Sequence, residues 1–83
     1  MEVKNRLGLH LRAASSLAET VGRFSSSVTI RRGKNAIDAR SVTSLLMLGA
    51  GPGTKLKVRA EGADAQAALS AVRSLFESRF GED

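Results

Sequence analysis

The stretch Gly8-Leu9-His10-Leu11-Arg12-Ala13-Ala14-Ser15-Ser16 decides how the chain is read, because the only histidine stands two residues after a glycine at the mouth of a helical pattern. From Ala14 the apolar residues recur as Ala14, Leu17, Ala18 and Val21, the spacing of one face of an amphipathic helix. That helix is expected to begin near His10 or Leu11 and to end near Gly22, with Phe24 as a core anchor beyond it. Its first turn leaves backbone N–H groups without intrahelical partners and carries the positive end of the macrodipole, so an anion there gains hydrogen bonds and charge stabilisation together. Leu11 and Arg12 supply those N–H groups. An imidazole at this point can accept a phosphoryl group on a ring nitrogen, with the Arg12 guanidinium two residues away as a forked donor. Taken alone, a histidine before a helix is more often an exposed capping residue, and an arginine in the first turn an ordinary solvated charge.

On the N-terminal side, Val3, Asn5 and Leu7 alternate with Glu2, Lys4 and Arg6, which predicts a strand with one face covered. Gly8 supplies the freedom to turn sharply from that strand into the helix. On the C-terminal side, Val28 and Ile30, then Ile37, flank Arg32-Gly33-Lys34-Asn35 and predict a hairpin. Ser41 is placed to cap a short second helix carrying Val42, Leu45, Leu46 and Leu48, stopped by Gly49 and the Gly51-Pro52-Gly53 turn. Leu56, Val58 and Ala60 alternate with Lys55, Lys57 and Arg59, a last strand with a basic outer face. Asp64 then stands as the N-cap of a third helix with Ala65, Ala68, Leu69, Val72 and Phe76 on its apolar face.

The order strand, helix, strand, strand, helix, strand, helix buries its apolar sides only if the helices lie on one face of the sheet, an α+β open-faced sandwich. Residues 1–83 suffice for one domain, which at that length buries only about 60–65% of its unfolded surface and has no room for a deep enclosed site. Cysteine is absent and histidine occurs once, so neither disulfides nor a thiolate or histidine-cluster metal site is expected, and no cofactor is implied. The N-terminus lacks the apolar core of a signal peptide and no apolar run approaches the ~18 residues of a membrane span, so a cytoplasmic protein without membrane insertion is expected. Thirteen Lys and Arg against eight Asp and Glu give a net charge of +5, which favours acidic partners without choosing between nucleic acid and protein.

Gly8-Leu9-His10-x-Arg12-x-Ala14, followed by Ala39-Arg40-Ser41-Val42, Leu48-Gly49-Ala50 and Ala60-Glu61-Gly62-Ala63-Asp64, resembles the HPr family, the histidine-containing phosphocarriers of the bacterial phosphotransferase system. Four separated motifs in order, from about Val3 to Phe80 without a gap, carry the resemblance. It implies a four-stranded antiparallel sheet with three helices on one face (β-α-β-β-α-β-α), first and last strands paired, and the histidine loop beside the second helix. It further implies that His10 accepts the phosphoryl group and that Arg12 contacts it, with the Leu11 and Arg12 backbone as further donors. Ser41 matches a serine that a dedicated kinase modifies in some bacterial lineages. Val42, Thr43, Leu46 and Met47 match positions that meet partner proteins, an apolar patch expected to be rimmed by Arg12 and Arg40. The implied partners are the general enzyme charged from phosphoenolpyruvate and the sugar-specific or regulatory proteins that accept the group onward. The protein would be a stoichiometric, monomeric carrier and not an enzyme. Ala13 departs from the family, which usually has proline there, and Leu11 fills a position often smaller or polar; a regulatory paralogue would carry such changes.

A small nucleic-acid-binding domain is the rival, resting on Lys4, Arg6, Arg31, Lys55, Lys57 and Arg59 as one open basic face. Sheet readers of single strands add aromatic stacking platforms, whereas the three phenylalanines here, Phe24, Phe76 and Phe80, fall on no predicted strand.

Overall fold

Why the helices form where they do is visible in what they bury. A computed structural model describes residues 1–82. Helix α1 (Leu11–Gly22) buries Ala13, Ala14, Leu17 and Val21, and helix α3 (Ala65–Glu77) buries Ala68, Val72 and Phe76, each a single stripe at helical spacing. Between them come strand β1 (Ser27–Arg32), strand β2 (Asn35–Asp38), the six-residue helix α2 (Val42–Met47) and strand β3 (Lys57–Glu61). In β1, Val28 and Ile30 are buried while Arg31 on the opposite face is exposed, so the core lies on one side of the sheet under the helices. Leu45, Leu48, Leu56, Leu17, Phe76 and Ile30 join in one apolar cluster.

The sheet order is β2-β1-β3, both pairs antiparallel, with Ile30 opposite Ile37 on one side and opposite Val58 on the other. The hairpin turn is Gly33-Lys34, with Gly33 at φ 59. The expected fourth strand is reduced to a single bridge, Glu2 with Lys55. Met1 and Leu56 exchange hydrogen bonds, but Val3 already pairs with Thr54 and Gly53, in the turn that precedes β3. At Asn5 the chain leaves the sheet: the Asn5 amide folds back to the Gly8 carbonyl at 2.6 Å, so Leu7, expected inside, is exposed. Alternation stops being strand signal where a buried side chain captures the backbone of its own turn.

Asp64 occupies the N-cap position of α3, yet its carboxylate makes no cap bond to that helix. It accepts instead from the backbone N–H of Ser25 at 3.0 Å and Ser26 at 2.9 Å, and from the Ser26 hydroxyl, tying the start of β1 to the start of α3. The Ser26 hydroxyl and then the Ser25 N–H hold this carboxyl down at about 2, against its ordinary 3.8. Because the folded-state pKa lies below the unfolded one, the stabilisation is complete above the unfolded value and is lost as pH falls towards 2. The denaturant midpoint of the parent is expected to drop between pH 5 and pH 2, and that of Asp64→Asn, lower at neutral pH, to drop less over the same range. Parallel losses in the two proteins would show that acid acts elsewhere.

Candidate functional site

His10 is the N-cap of α1, with extended backbone at φ −84 and ψ −177. Its position is fixed by Gly8, at φ 71, whose absent Cβ would stand 2.7 Å from the Ala50 carbonyl oxygen and 2.9 Å from Gly51 Cα. That approach lets the Leu9 N–H donate to Ala50 O at 2.9 Å, so the histidine loop is laced to the segment leaving α2, and α1 packs against α2 beside it. Sequence expectation and structure agree on the side-by-side placement of loop and second helix.

The two ring nitrogens have different neighbours. The Arg12 backbone N–H donates to Nδ1 at 3.4 Å, a long contact, while Nε2 lies 2.8 Å from Glu82 Oε1. A nitrogen facing an N–H donor presents a lone pair, and a nitrogen facing a carboxylate carries the proton, so these partners assign the Nε2–H tautomer. Glu82 Oε1 also accepts from the Asn5 amide at 2.7 Å. The hydrogen bonds from His10 and from Asn5 lower the Glu82 pKa against the opposing effect of its partial burial, and the charge of Arg12 adds to them. His10 retains 31% side-chain exposure and Glu82 16%, so the ring is reachable while its carboxylate partner is largely covered.

Arg12 is exposed, and with Arg6, Leu7, Leu11, His10 and Glu82 it lines one shallow depression. The site is therefore an open dish with two guanidinium groups on its wall. Ala13 lies inside the first turn, completely buried. Ser41 is the N-cap of α2, its hydroxyl accepting from Ser44 N at 3.2 Å. On that helix and its C-cap, Leu45 and Leu48 are core residues, Val42 is half-buried, Thr43 is exposed, and Leu46 and Met47 are exposed by 39% and 79%. Among the described residues, Leu7, Leu11, Leu46 and Met47 are the large apolar side chains left in solvent, all on the histidine loop, the start of α1, and α2.

Arg40 does not rim this patch. Its guanidinium donates to the Phe24 carbonyl at 2.8 Å, away in the α1–β1 connection, because that carbonyl needs a donor once α1 has ended. Arg32 does similar work for α2, donating to Leu48 O at 2.7 Å and Gly49 O at 2.8 Å. The proposed nucleic-acid face is also divided: Arg31, Lys57 and Arg59 share the outer sheet surface, but Arg6 belongs to the histidine dish. Phe76 and Phe80 are buried, stacked edge to face at 5.0 Å, and Phe24 packs against the core, so no ring is free to stack a base.

The sequence alone does not single out Asn5, Arg6 or Glu82 for the site. Asn5 carried a signal, a polar residue at an inward position of the Val3-Asn5-Leu7 alternation, where burial demands a hydrogen-bonding task. Glu82 carried none, since its contact with His10 spans 72 positions.

The family model described as the PTS HPr component phosphorylation site matches residues 1–78. The phosphocarrier protein HPr of Xylella fastidiosa strain Temecula1 is 39% identical over 83 residues, all of this chain and 93% of the relative. The phosphocarrier protein NPr of Proteus mirabilis strain HI4320 is 42% identical over 98% of this chain and 91% of its own. Among solved structures, that of HPr-C-His from Thermoanaerobacter tengcongensis superposes with a TM-score of 0.96 at 36% identity, covering all of this chain and 93% of the other.

Proposed function

The chain belongs to the HPr family and is a phosphoryl carrier of the phosphotransferase system, and from that premise we propose that His10 accepts the group on Nδ1. One observation carries the choice of atom: Nε2 is engaged by Glu82 at 2.8 Å, whereas Nδ1 faces only the helix mouth. The Nδ1 lone pair attacks phosphorus in line, the bond from phosphorus to the donor atom breaks, and that electron pair stays with the donor. The arriving oxygens then meet the N–H groups of Leu11 and Arg12 and the positive end of α1, with the Arg12 guanidinium as a charged donor. Catalysis is positioning plus electrostatic stabilisation of the group in flight, which a carrier shares with its partners and needs no base of its own to perform.

The partners are the general enzyme charged from phosphoenolpyruvate and the sugar-specific or regulatory proteins downstream. Val42, Thr43, Leu46 and Met47, joined by Leu7 and Leu11, form the docking surface, and a carrier that must meet several partners in turn is best read as a monomeric single domain working in the cytoplasm as a stoichiometric carrier. No metal or cofactor takes part in this reading. Incubation with phosphoenolpyruvate and the general enzyme should add one phosphoryl mass, labile to acid and stable to base; an acid-stable adduct would point to an ester on a hydroxyl instead.

Ser41 is read as a regulatory acceptor for a serine kinase as well as a cap. Asp caps about as well as Ser and favours the helix dipole, so Ser41→Asp should hold folding stability within about 1 kcal/mol, while Ser41→Ala costs about 1 kcal/mol. Transfer should move the other way. A carboxylate at the head of α2 opposes an acidic partner and lowers transfer by roughly an order of magnitude at low salt, with a smaller effect at high salt, and Ser41→Ala keeps the parental rate. Equal rates for Ser41→Asp and the parent across salt would leave Ser41 as a cap alone.

A further inference from the structure

Glu82 belongs to no helix or strand, yet the fold goes to some length to deliver it. After α3 the chain makes a tight turn over Arg79–Gly81, with Arg79 at φ 58, Phe80 at φ 56 and Gly81 at φ 74. Two consecutive non-glycine residues in the left-handed region are uncommon, and neither has the short polar side chain that eases it. Phe80 pins the turn, buried against Phe76, and the turn packs on α1. The product of this reversal is a carboxylate oxygen 2.8 Å from His10 Nε2 and 2.7 Å from the Asn5 amide, whose second hydrogen bond is to Gly8 O inside the histidine loop. Asn5 is fully buried, so the clamp on the carboxylate is built into the core.

We propose that Glu82, oriented by Asn5, is a positioning residue for phosphoryl transfer: it holds the His10 ring in the Nε2–H tautomer and faces the positive charge that the ring gains when Nδ1 bonds to phosphorus. The inference rests on the acceptor role of His10 and deepens it. In a free imidazole either nitrogen can carry the proton, so a ring without this partner spends part of its time with Nδ1 protonated and unable to attack. With Glu82 in place Nδ1 stays unprotonated, its lone pair held only by the long 3.4 Å contact from the Arg12 N–H. When the Nδ1–P bond forms, Nε2 keeps its proton and the ring becomes cationic beside the carboxylate. When the group leaves, the electron pair of that bond returns to Nδ1 and the neutral Nε2–H ring is restored. No proton moves in either half of the cycle. A carboxylate orienting a histidine through its second nitrogen is a device used wherever one ring nitrogen must stay free to react or to bind a metal.

Three measurements test this on the full chain, comparing the parent with Glu82→Ala and Glu82→Gln. The first is the tautomer of the neutral His10 ring by nitrogen-15 NMR. The second is the site of labelling by phosphoramidate, a small donor that needs no partner protein, read as Nδ1- or Nε2-phosphohistidine by NMR. The third is the rate of transfer from the charged general enzyme. The parent should hold the Nε2–H form and label on Nδ1. Glu82→Ala should show both tautomers, label on both nitrogens, and accept the phosphoryl group about tenfold more slowly, the usual scale for removing an orienting partner. Glu82→Gln keeps an oxygen acceptor without the charge, so it should keep tautomer and labelling site while transfer slows severalfold. Parental tautomer, labelling site and rate in a folded Glu82→Ala protein would overturn the proposal, and Glu82→Gln repeats the test should the alanine variant unfold. A parent that takes no phosphoryl group on His10 overturns the acceptor reading, whereas the ring tautomer decides the role of Glu82 by itself.

Discussion

His10→Ala, incubated with phosphoenolpyruvate and the general enzyme, is expected to gain no acid-labile phosphoryl group at all. The expectation is all-or-none because no other side chain in this protein offers an imidazole, and serine and threonine hydroxyls would give esters of the opposite acid stability. The loss must be separated from unfolding, since His10 also caps α1. Its cap bond is long, 3.4 Å from Arg12 N to Nδ1, so replacement by alanine should cost about 1 kcal/mol or less, within what a folded domain tolerates. His10→Asn, which retains a capping side chain, should be equally silent while melting close to the parent. An acid-labile label persisting in either variant would remove His10 from the relay.

The second large effect is expected from a single methyl group. Gly8→Ala places a Cβ 2.7 Å from Ala50 O and 2.9 Å from Gly51 Cα, both backbone atoms, at a residue with φ 71. The left-handed conformation costs an alanine about 1–2 kcal/mol, and the forced separation of two backbone segments adds about 1–3 kcal/mol, so a loss of roughly 2–5 kcal/mol and a Tm at least about 8 °C lower are expected. Gly33→Ala is the control. It has φ 59 with nothing near its missing Cβ, so it should show only the conformational part, about 1–2 kcal/mol. Similar melting temperatures for the two variants would mean that the approach of Gly8 to Ala50 is not what holds the loop. Because the Gly8 carbonyl also receives the Asn5 amide, the Gly8 variant should disturb the environment of Glu82 and His10 as well as the fold.

Much of this architecture was legible because it is written in local periodicity. The Ala14-Leu17-Val21 stripe, the Gly33 turn, Ser41 as a cap and the core roles of Leu45 and Leu48 each depend on neighbours within a few residues, and each stands where the pattern put it. What periodicity could not convey is where polar side chains reach. Asp64 has the sequence position of a helix cap, but its oxygens serve Ser25 and Ser26. Arg40 looks like a companion of Ser41 and turns instead to Phe24. The first seven residues alternate like a strand, yet buried Asn5 ends the pairing by bonding within its own turn. In each case a hydrogen bond between segments brought together only by folding outweighed a short-range preference. The histidine and arginine of the site were readable as a motif, whereas Glu82 becomes part of it only through the turn that follows α3.

That dependence has a consequence for when the chain is competent. The ring and its carboxylate partner are separated by 72 positions, and the Asn5–Glu82 contact by 77, so the arrangement closes a loop that includes almost the entire polypeptide. A chain emerging amino end first exposes its histidine early, but the oxygen that orients the imidazole follows 72 residues later. Contacts of such separation form late, after the entropy of closing the loop has been overcome. The ordered ring thus marks a molecule folded through Glu82: a nascent copy, or one cut before that residue, would present the same reactive side chain to the relay without the anchor that aims it.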